Sequence, residues 1–260
     1  MTRANPRRRK KPLIVAHRGS SGSAPENTMA AFELAVAEGA DMIELDVRMT
    51  RDYHLVVHHD RNVRRTTNGV GNVWDLTLDD LKRLDAGSWY SSRFTGEHIP
   101  TLCEVLSFLP ATILVNIEVK TDGERRKRLA FGESLILTIL EKKVQDRIIV
   151  SSFDHGFIKQ VHKLHPAIRT GALYVPVRDA VRKPSTLAHR LGCDAFICSR
   201  TQLRRRFADD AHAHSIFLGC YTINTGAELK KALRYDVDAV ITNYPRRIRQ
   251  LLHGARLSSD

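Results

Sequence analysis

Two hydrophobic periods take turns along this chain. Short apolar runs of strand length alternate with stretches whose apolar residues recur at helical spacing, the signature of strands alternating with crossover helices. The strand-like runs are Leu13–Ala16, Asp41–Val47, Thr112–Val119, Arg147–Ser152, Arg169–Val175, Ala195–Cys198, Ile216–Thr222 and Ala239–Thr242. Between and after them the spacing predicts helices over Asn27–Glu38, Pro100–Leu109, Glu124–Lys143, His155–Leu164, Ser185–Leu191, Thr201–Ala213, Ala227–Tyr235 and Arg246–His253. Asn27 or Thr28 can cap the first helix and Gly39 stops it; Pro166 and Pro176 act as punctuation. Eight strands, each followed by a helix, point to a closed (β/α)8 barrel rather than an open doubly wound sheet, and 260 residues suit one such barrel.

The rhythm breaks after His54–His58. Residues from about 60 to 100 contain Thr66-Thr67-Asn68-Gly69-Val70-Gly71, a short helical piece near Leu78–Leu84, and Gly87-Ser88-Trp89-Tyr90. Ordinary strand-to-helix connections take about 2 to 6 residues, so this stretch is predicted to be an insertion after the second strand, capping the site. The expected organisation is a disordered basic tail over 1–12, a barrel over 13–253 carrying the insertion, and a flexible end over 254–260.

Composition adds little until the charge is divided. The net charge is +12, but residues 1 to 12 hold six basic residues and no acid, leaving +6 for the body. No apolar run approaches the roughly 20 residues of a membrane span. The basic start meets Pro12 and then only four apolar residues before His17, which is no secretory signal. A cytoplasmic protein is expected. Cys103, Cys193, Cys198 and Cys220 form no C-x-x-C pair and are expected to be reduced thiols.

The candidate chemistry sits where apolar runs end. On Asp41–Val47 the two-residue period puts Glu44 and Asp46 on one face and Ile43, Leu45 and Val47 on the other. Glu118 and Lys120 share a face in the same way, while other runs end in His17-Arg18-Gly19 and His58-His59-Asp60. His58 and His59 alternate, so at most one faces the barrel mouth. Such residues collect at the C-terminal ends of parallel strands, where a barrel builds its catalytic groups. Glu44, Asp46 and Glu118 are hard oxygen donors without cysteine, a set suited to Mg²⁺ or Ca²⁺. Arg18 and Lys120 suit a phosphate oxygen, and flanking histidines can move protons near neutral pH.

On these residues the chain resembles the glycerophosphodiester phosphodiesterase family. The matching stretches are His17-Arg18-Gly19, Pro25-Glu26-Asn27-Thr28, Glu44-Leu45-Asp46-Val47, Val56-Val57-His58-His59-Asp60, Arg65-Thr66-Thr67-Asn68-Gly69, Leu84-Asp85-Ala86-Gly87, Ile99-Pro100-Thr101-Leu102 and Glu118-Val119-Lys120. Looser matches follow at Ser151-Ser152-Phe153, Tyr221-Thr222-Ile223-Asn224 and Val240-Ile241-Thr242-Asn243-Tyr244-Pro245.

The resemblance implies a TIM barrel with a small insertion that hydrolyses glycerophosphodiesters to glycerol 3-phosphate and an alcohol with a divalent metal. It implies Glu44, Asp46 and Glu118 as metal ligands, His17 and His59 as the acid/base pair, and Arg18 and Lys120 as phosphate holders. His17 is expected as base and His59 as acid, with either water or the substrate's glycerol 2-hydroxyl attacking. Two positions depart from the family pattern: Tyr221 replaces the usual tryptophan and Asn243 the usual aspartate. Tyr221 still offers an aromatic wall to the substrate, and both changes are expected to bear on substrate fit rather than on activity.

Two other functions draw on features of the sequence. A lysophospholipase D activity at the same site would need an apolar groove, which Trp89, Tyr90 and Phe94 would line unless they form the insertion's own core. A binder of nucleic acid or anionic membrane would use the tail and Arg204-Arg205-Arg206, giving weak, salt-sensitive association. No nucleic-acid recognition motif accompanies that charge, and such a binder has no use for histidines and carboxylates gathered at strand ends.

Overall fold

Parallel strands need a crossover between them, and the helices of this chain supply it. The computed structural model describes residues 11–121, 125–180 and 182–254. Its strands are β1 (Leu13–His17), β2 (Met42–Met49), β3 (Leu55–Val57), β4 (Leu114–Val119), β5 (Ile148–Ser152), β6 (Arg169–Leu173), β7 (Ala195–Ser199), β8 (Phe217–Tyr221) and β9 (Ala239–Thr242). All but β3 pair in parallel, in the order β1-β2-β4-β5-β6-β7-β8-β9, and β9 returns to β1. The result is the closed eight-stranded TIM barrel expected from the alternation, with observed strand ends one or two residues inside several predicted ones.

β3 is the exception. It runs antiparallel to β2, with Val47 opposite Val57 and Met49 opposite Leu55, and does not join the barrel wall. His58 and His59 therefore come back beside β2 on a hairpin, where the His58 amide donates to the Asp46 carbonyl at 2.9 Å.

Helices α1 (Met29–Ala37), α2 (Leu78–Lys82), α3 (Leu102–Phe108), α4 (Arg125–Glu141), α5 (His155–Leu164), α6 (Pro176–Asp179), α7 (Pro184–Leu191), α8 (Arg205–Ala213), α9 (Gly226–Arg234) and α10 (Pro245–Gly254) complete the described chain. Local chemistry sets many of their starts. Thr28 caps α1, Thr101 with Glu104 and Thr225 with Glu228 form capping boxes, and proline opens α6 and α7. Helix α8 begins four residues later than the spacing suggested, and the four-residue α6 was not anticipated.

Apolar residues on the outward strand faces pack under the helices. Phe157, Ile158 and Val161 of α5, for example, are fully buried, each contributing roughly 1.5–3 kcal/mol. Inside the barrel, Leu13, Val15, Met42, Leu173, Ile197, Ala239 and Ile241 form a separate apolar plug. The plug fills the lower barrel, so polar groups on the same strands are left to the C-terminal end.

The insertion has its own core of Val56, Val63, Val73, Leu81, Ala86 and Ile99. Asp85 ties its far loop together by accepting from the amides of Gly87, Ser88 and Gly96 at 2.7–2.8 Å. Trp89 packs edge to face on Tyr90 and Tyr90 on Phe94, a partly exposed aromatic row outside that core. Of the basic tail predicted over 1–12, only Lys11 and Pro12 lie among the described residues, and Lys11 Nζ donates to the Leu252 carbonyl at 3.1 Å. The predicted C-terminal segment lies outside them after Gly254.

Candidate active site

Strands β2 and β4 bring three carboxylates together. Asp46 and Glu118 are register partners on β2 and β4, Glu44 lies one inward position below Asp46, and one oxygen from each lies within 4.8 Å of the others. All three are buried. Asp46 is well partnered: Arg18 Nε lies 3.1 Å and Lys120 Nζ 3.0 Å from it, and Asn27 Nδ2 donates to it at 2.9 Å. Burial opposes its ionisation, but the Lys120 and Arg18 charges win and hold its carboxyl below the usual range.

Glu44 and Glu118 behave differently. Burial and then the charge of Asp46 push Glu44 up to about 8 and Glu118 up to about 7. Lys120 Nζ pairs with Glu118, and the Arg18 amide donates to Glu44 Oε2 at 2.9 Å, but Glu44 Oε1 is buried without a partner. Three acids face two cations, and the deficit falls on an all-oxygen set. That composition and the orphaned oxygen fit a divalent cation.

The Arg18 conformation needs its neighbours. Arg18 has φ +56° and Gly19 φ +79°, and a Cβ on Gly19 would lie 2.7 Å from the Ala31 backbone. Only glycine lets the strand end turn that close to α1 and aim the Arg18 amide at Glu44.

Two histidines reach the same cavity, each tied back through Nδ1. His17 donates to Asn243 Oδ1 at 2.7 Å, and His59 donates to Asp60 Oδ1 at 2.6 Å. With Nδ1–H engaged in this way, Nε2 is left for the cavity. Burial lowers both imidazole pKa values; the Arg18 charge adds to this at His17, whereas the Asp46 charge opposes it at His59. His58, by contrast, is buried away from the cavity, and burial depresses it to about 4.

The cavity has a volume of about 240 Å³. One side is polar, lined by His17, Arg18, Glu44, His59, Glu118 and Lys120, with Asn116 below. The facing side consists of Phe153, Leu173, Ile197, Tyr221 and Ile241, with Thr222. The ammonium of Lys120 lies 5.7 Å from the Phe153 ring centre. Such a vessel can hold an anionic group on one wall and an uncharged or aromatic-compatible group on the other.

The predicted residues thus converge, with Asp46 just behind the cavity surface and Tyr221 on its apolar wall. Two expectations change. Residues 61–100 line none of the cavity, so Trp89, Tyr90 and Phe94 supply no groove there, and Asn243 touches a histidine instead of shaping the substrate wall. Sequence reasoning also gave no role at the site to Glu26, Asp60 or Arg65 and offered Asn27 only as a helix cap, a place that Thr28 takes, although all four stand in quoted motifs. Asn27, at φ +59°, makes two hydrogen bonds with Asp46: its Nδ2 donates to Asp46 Oδ2, and its Oδ1 accepts from the Asp46 amide.

Comparison with known proteins identifies the family and several relatives. The model of the glycerophosphoryl diester phosphodiesterase family matches residues 17–247. A glycerophosphodiester phosphodiesterase of Caldanaerobacter subterraneus subsp. tengcongensis is 37% identical over 243 residues, covering 93% of this chain and 98% of the relative. A lysophospholipase D from Homo sapiens is 27% identical over 272 residues, covering 92% and 86%. A phosphodiesterase of Oleispira antarctica, solved in complex with the product sn-glycerol-3-phosphate, superposes with a TM-score of 0.86 at 29% identity, covering 93% of this chain and 97% of the other.

Proposed function

Because the chain belongs to the glycerophosphoryl diester phosphodiesterase family and is a glycerophosphodiester phosphodiesterase, we propose that the cavity at the C-terminal mouth of its barrel hydrolyses the diester by paired histidine catalysis. The products are sn-glycerol 3-phosphate, the product bound by the Oleispira antarctica relative, and an alcohol. The observation that carries this reading is that His17 and His59 line one cavity, each with Nδ1 engaged, beside three buried carboxylates.

His17 Nε2 takes the proton of the attacking oxygen. Its lowered pKa keeps it unprotonated at neutral pH, as a base requires. His59 enters the step as the imidazolium, which Asp60 at Nδ1 and the charge of Asp46 favour against the burial that lowers its pKa, and its Nε2 proton goes to the departing alkoxide as the phosphorus–oxygen bond to the alcohol breaks. Arg18 and Lys120 line the polar wall and offset charge on the phosphoryl oxygens. Glu44, Asp46 and Glu118 would hold a divalent ion, Mg²⁺ or Ca²⁺, which would supply further positive charge to those oxygens. The attacking oxygen is that of water, or the glycerol 2-hydroxyl followed by hydrolysis of the cyclic phosphate. Tyr221 and Phe153 form the wall against which the organic part of the substrate rests.

Incubation with glycerophosphocholine tests the reading. Choline and glycerol 3-phosphate should appear in equal amounts, stop with EDTA, and resume on adding Mg²⁺ or Ca²⁺. Turnover unaffected by exhaustive chelation would overturn the metal assignment. The apolar wall and the human relative favour a second reading, hydrolysis of lysophospholipids at the same site. Faster turnover of lysophosphatidylcholine than of glycerophosphocholine would establish it.

A further inference from the structure

We propose that Arg65, which lies on the insertion and outside the cavity, is a positioning residue that sets His59 and Arg18 together. Its guanidinium grips two carboxylates at once. Nε donates to Asp60 Oδ2 at 2.6 Å and Nη2 to Asp60 Oδ1 at 3.2 Å. Nη1 donates to Glu26 Oε2 at 3.0 Å and Nη2 to Glu26 Oε1 at 2.7 Å.

Each carboxylate then passes the constraint inward. Asp60 Oδ1 accepts from His59 Nδ1 at 2.6 Å, and Glu26 Oε1 accepts from Arg18 Nη1 at 2.8 Å. Arg18 in turn reaches Asp46 through Nε at 3.1 Å. One planar group therefore fixes the distance between the residue beside the leaving alcohol and the residue beside the phosphoryl oxygens.

Stability alone does not account for this geometry. The Arg65 side chain is 45% exposed, and ion pairs at such places contribute little to folding. A forked guanidinium pairs with carboxylates in a fixed plane, which a lysine ammonium cannot imitate. What the arrangement achieves is orientation: two carboxylates are turned so that their remaining lone pairs meet His59 and Arg18. It also gives the insertion a task, since its own residues line none of the cavity.

This inference rests on His59 as the proton donor to the leaving group, so the test separates the two. Arg65→Ala and Arg65→Lys are compared with wild type on glycerophosphocholine and on a p-nitrophenyl diester, and each is repeated in a His59→Ala background. Both variants should lower kcat for the choline ester by roughly tenfold to a hundredfold. They should lower it less for the p-nitrophenyl ester, whose leaving oxygen needs little protonation. Added to His59→Ala they should cost less than they do alone, leaving only the part of the loss that runs through Arg18. Arg65→Lys at wild-type kcat, or full losses repeated in the His59→Ala background, would overturn the proposal. If Arg65→Ala does not fold by circular dichroism, the lysine variant decides. Undiminished turnover of His59→Ala by itself would instead overturn the assignment of His59, whatever Arg65 does.

Discussion

Asn243, just beyond the last strand, accepts the Nδ1–H of His17, the last residue of the first strand, at 2.7 Å. A neutral amide orients the ring without adding a negative charge. Asn243→Asp would place a carboxylate against the imidazole, favour the imidazolium and raise the His17 pKa. The acid limb of the kcat/KM profile, which reports the base losing its proton, should move to higher pH. Asn243→Ala should lower kcat with little shift of the limb. A pH–rate series on the three proteins checks both.

His17→Ala and His59→Ala should each lower kcat by about 10² to 10⁴, the usual worth of placed acid/base catalysis. His58→Ala should affect turnover far less, because that ring is buried away from the cavity. Steady-state kinetics on glycerophosphocholine ranks the three.

The metal-free protein should weaken as pH rises. Glu44 and Glu118 have folded pKa values of about 8 and about 7 against an ordinary 4.5, so the folded state binds protons the unfolded chain has released. The stability this gives is complete below about pH 4.5 and is lost as pH climbs through 7 to 8. In EDTA at pH 8, Glu44→Gln should therefore melt higher than wild type by roughly 2–4 °C, equivalent to about 1 kcal/mol. The gap should narrow at pH 5, and Mg²⁺ or Ca²⁺ should raise the wild-type melting temperature more at pH 8 than at pH 5. Thermal melts at the two pH values read all of this.

His58 works in the opposite direction. Burial depresses its folded pKa to about 4 from an ordinary 6.5, so below pH 6.5 the unfolded chain takes up a proton that the folded one refuses. Its contribution is complete above about pH 6.5 and declines as pH falls to 4, by at most about 3 kcal/mol. His58→Gln should flatten that acid-side decline. Urea midpoints at pH 7 and pH 4.5 for both proteins measure it.

A variant lacking Thr2–Lys10 should hydrolyse a soluble glycerophosphodiester at the wild-type rate, since β1 begins at Leu13. Lys11 is kept because it donates to the end of α10. Loss of five positive charges should weaken attraction to anionic vesicles at low salt, where each basic residue near a surface is worth up to about 1 kcal/mol. Turnover and vesicle sedimentation are measured side by side.

The barrel and the convergence of its polar residues were legible in the sequence because both depend on local period. Glu44 with Asp46 and Glu118 with Lys120 declare a shared face within three residues. The supporting contacts were not legible, because no period links their partners. Arg65 meets Glu26 across 39 positions, and His17 meets Asn243 across 226. The antiparallel direction of β3 was hidden for a related reason: three apolar residues alternate identically whichever way the strand runs.

The seam at which β9 closes on β1 also sets an order of events during synthesis. Both halves of the His17–Asn243 contact lie at that seam, one near each end of the described chain. On the ribosome the carboxylates and both histidines emerge long before residue 243. A nascent chain thus holds most of its reactive groups early yet has no oriented base until its last strand is released and docks. A chain terminated before β9 lacks both the strand that closes the barrel on β1 and the partner of the His17 ring, and its turnover should fall below that of a chain that includes them.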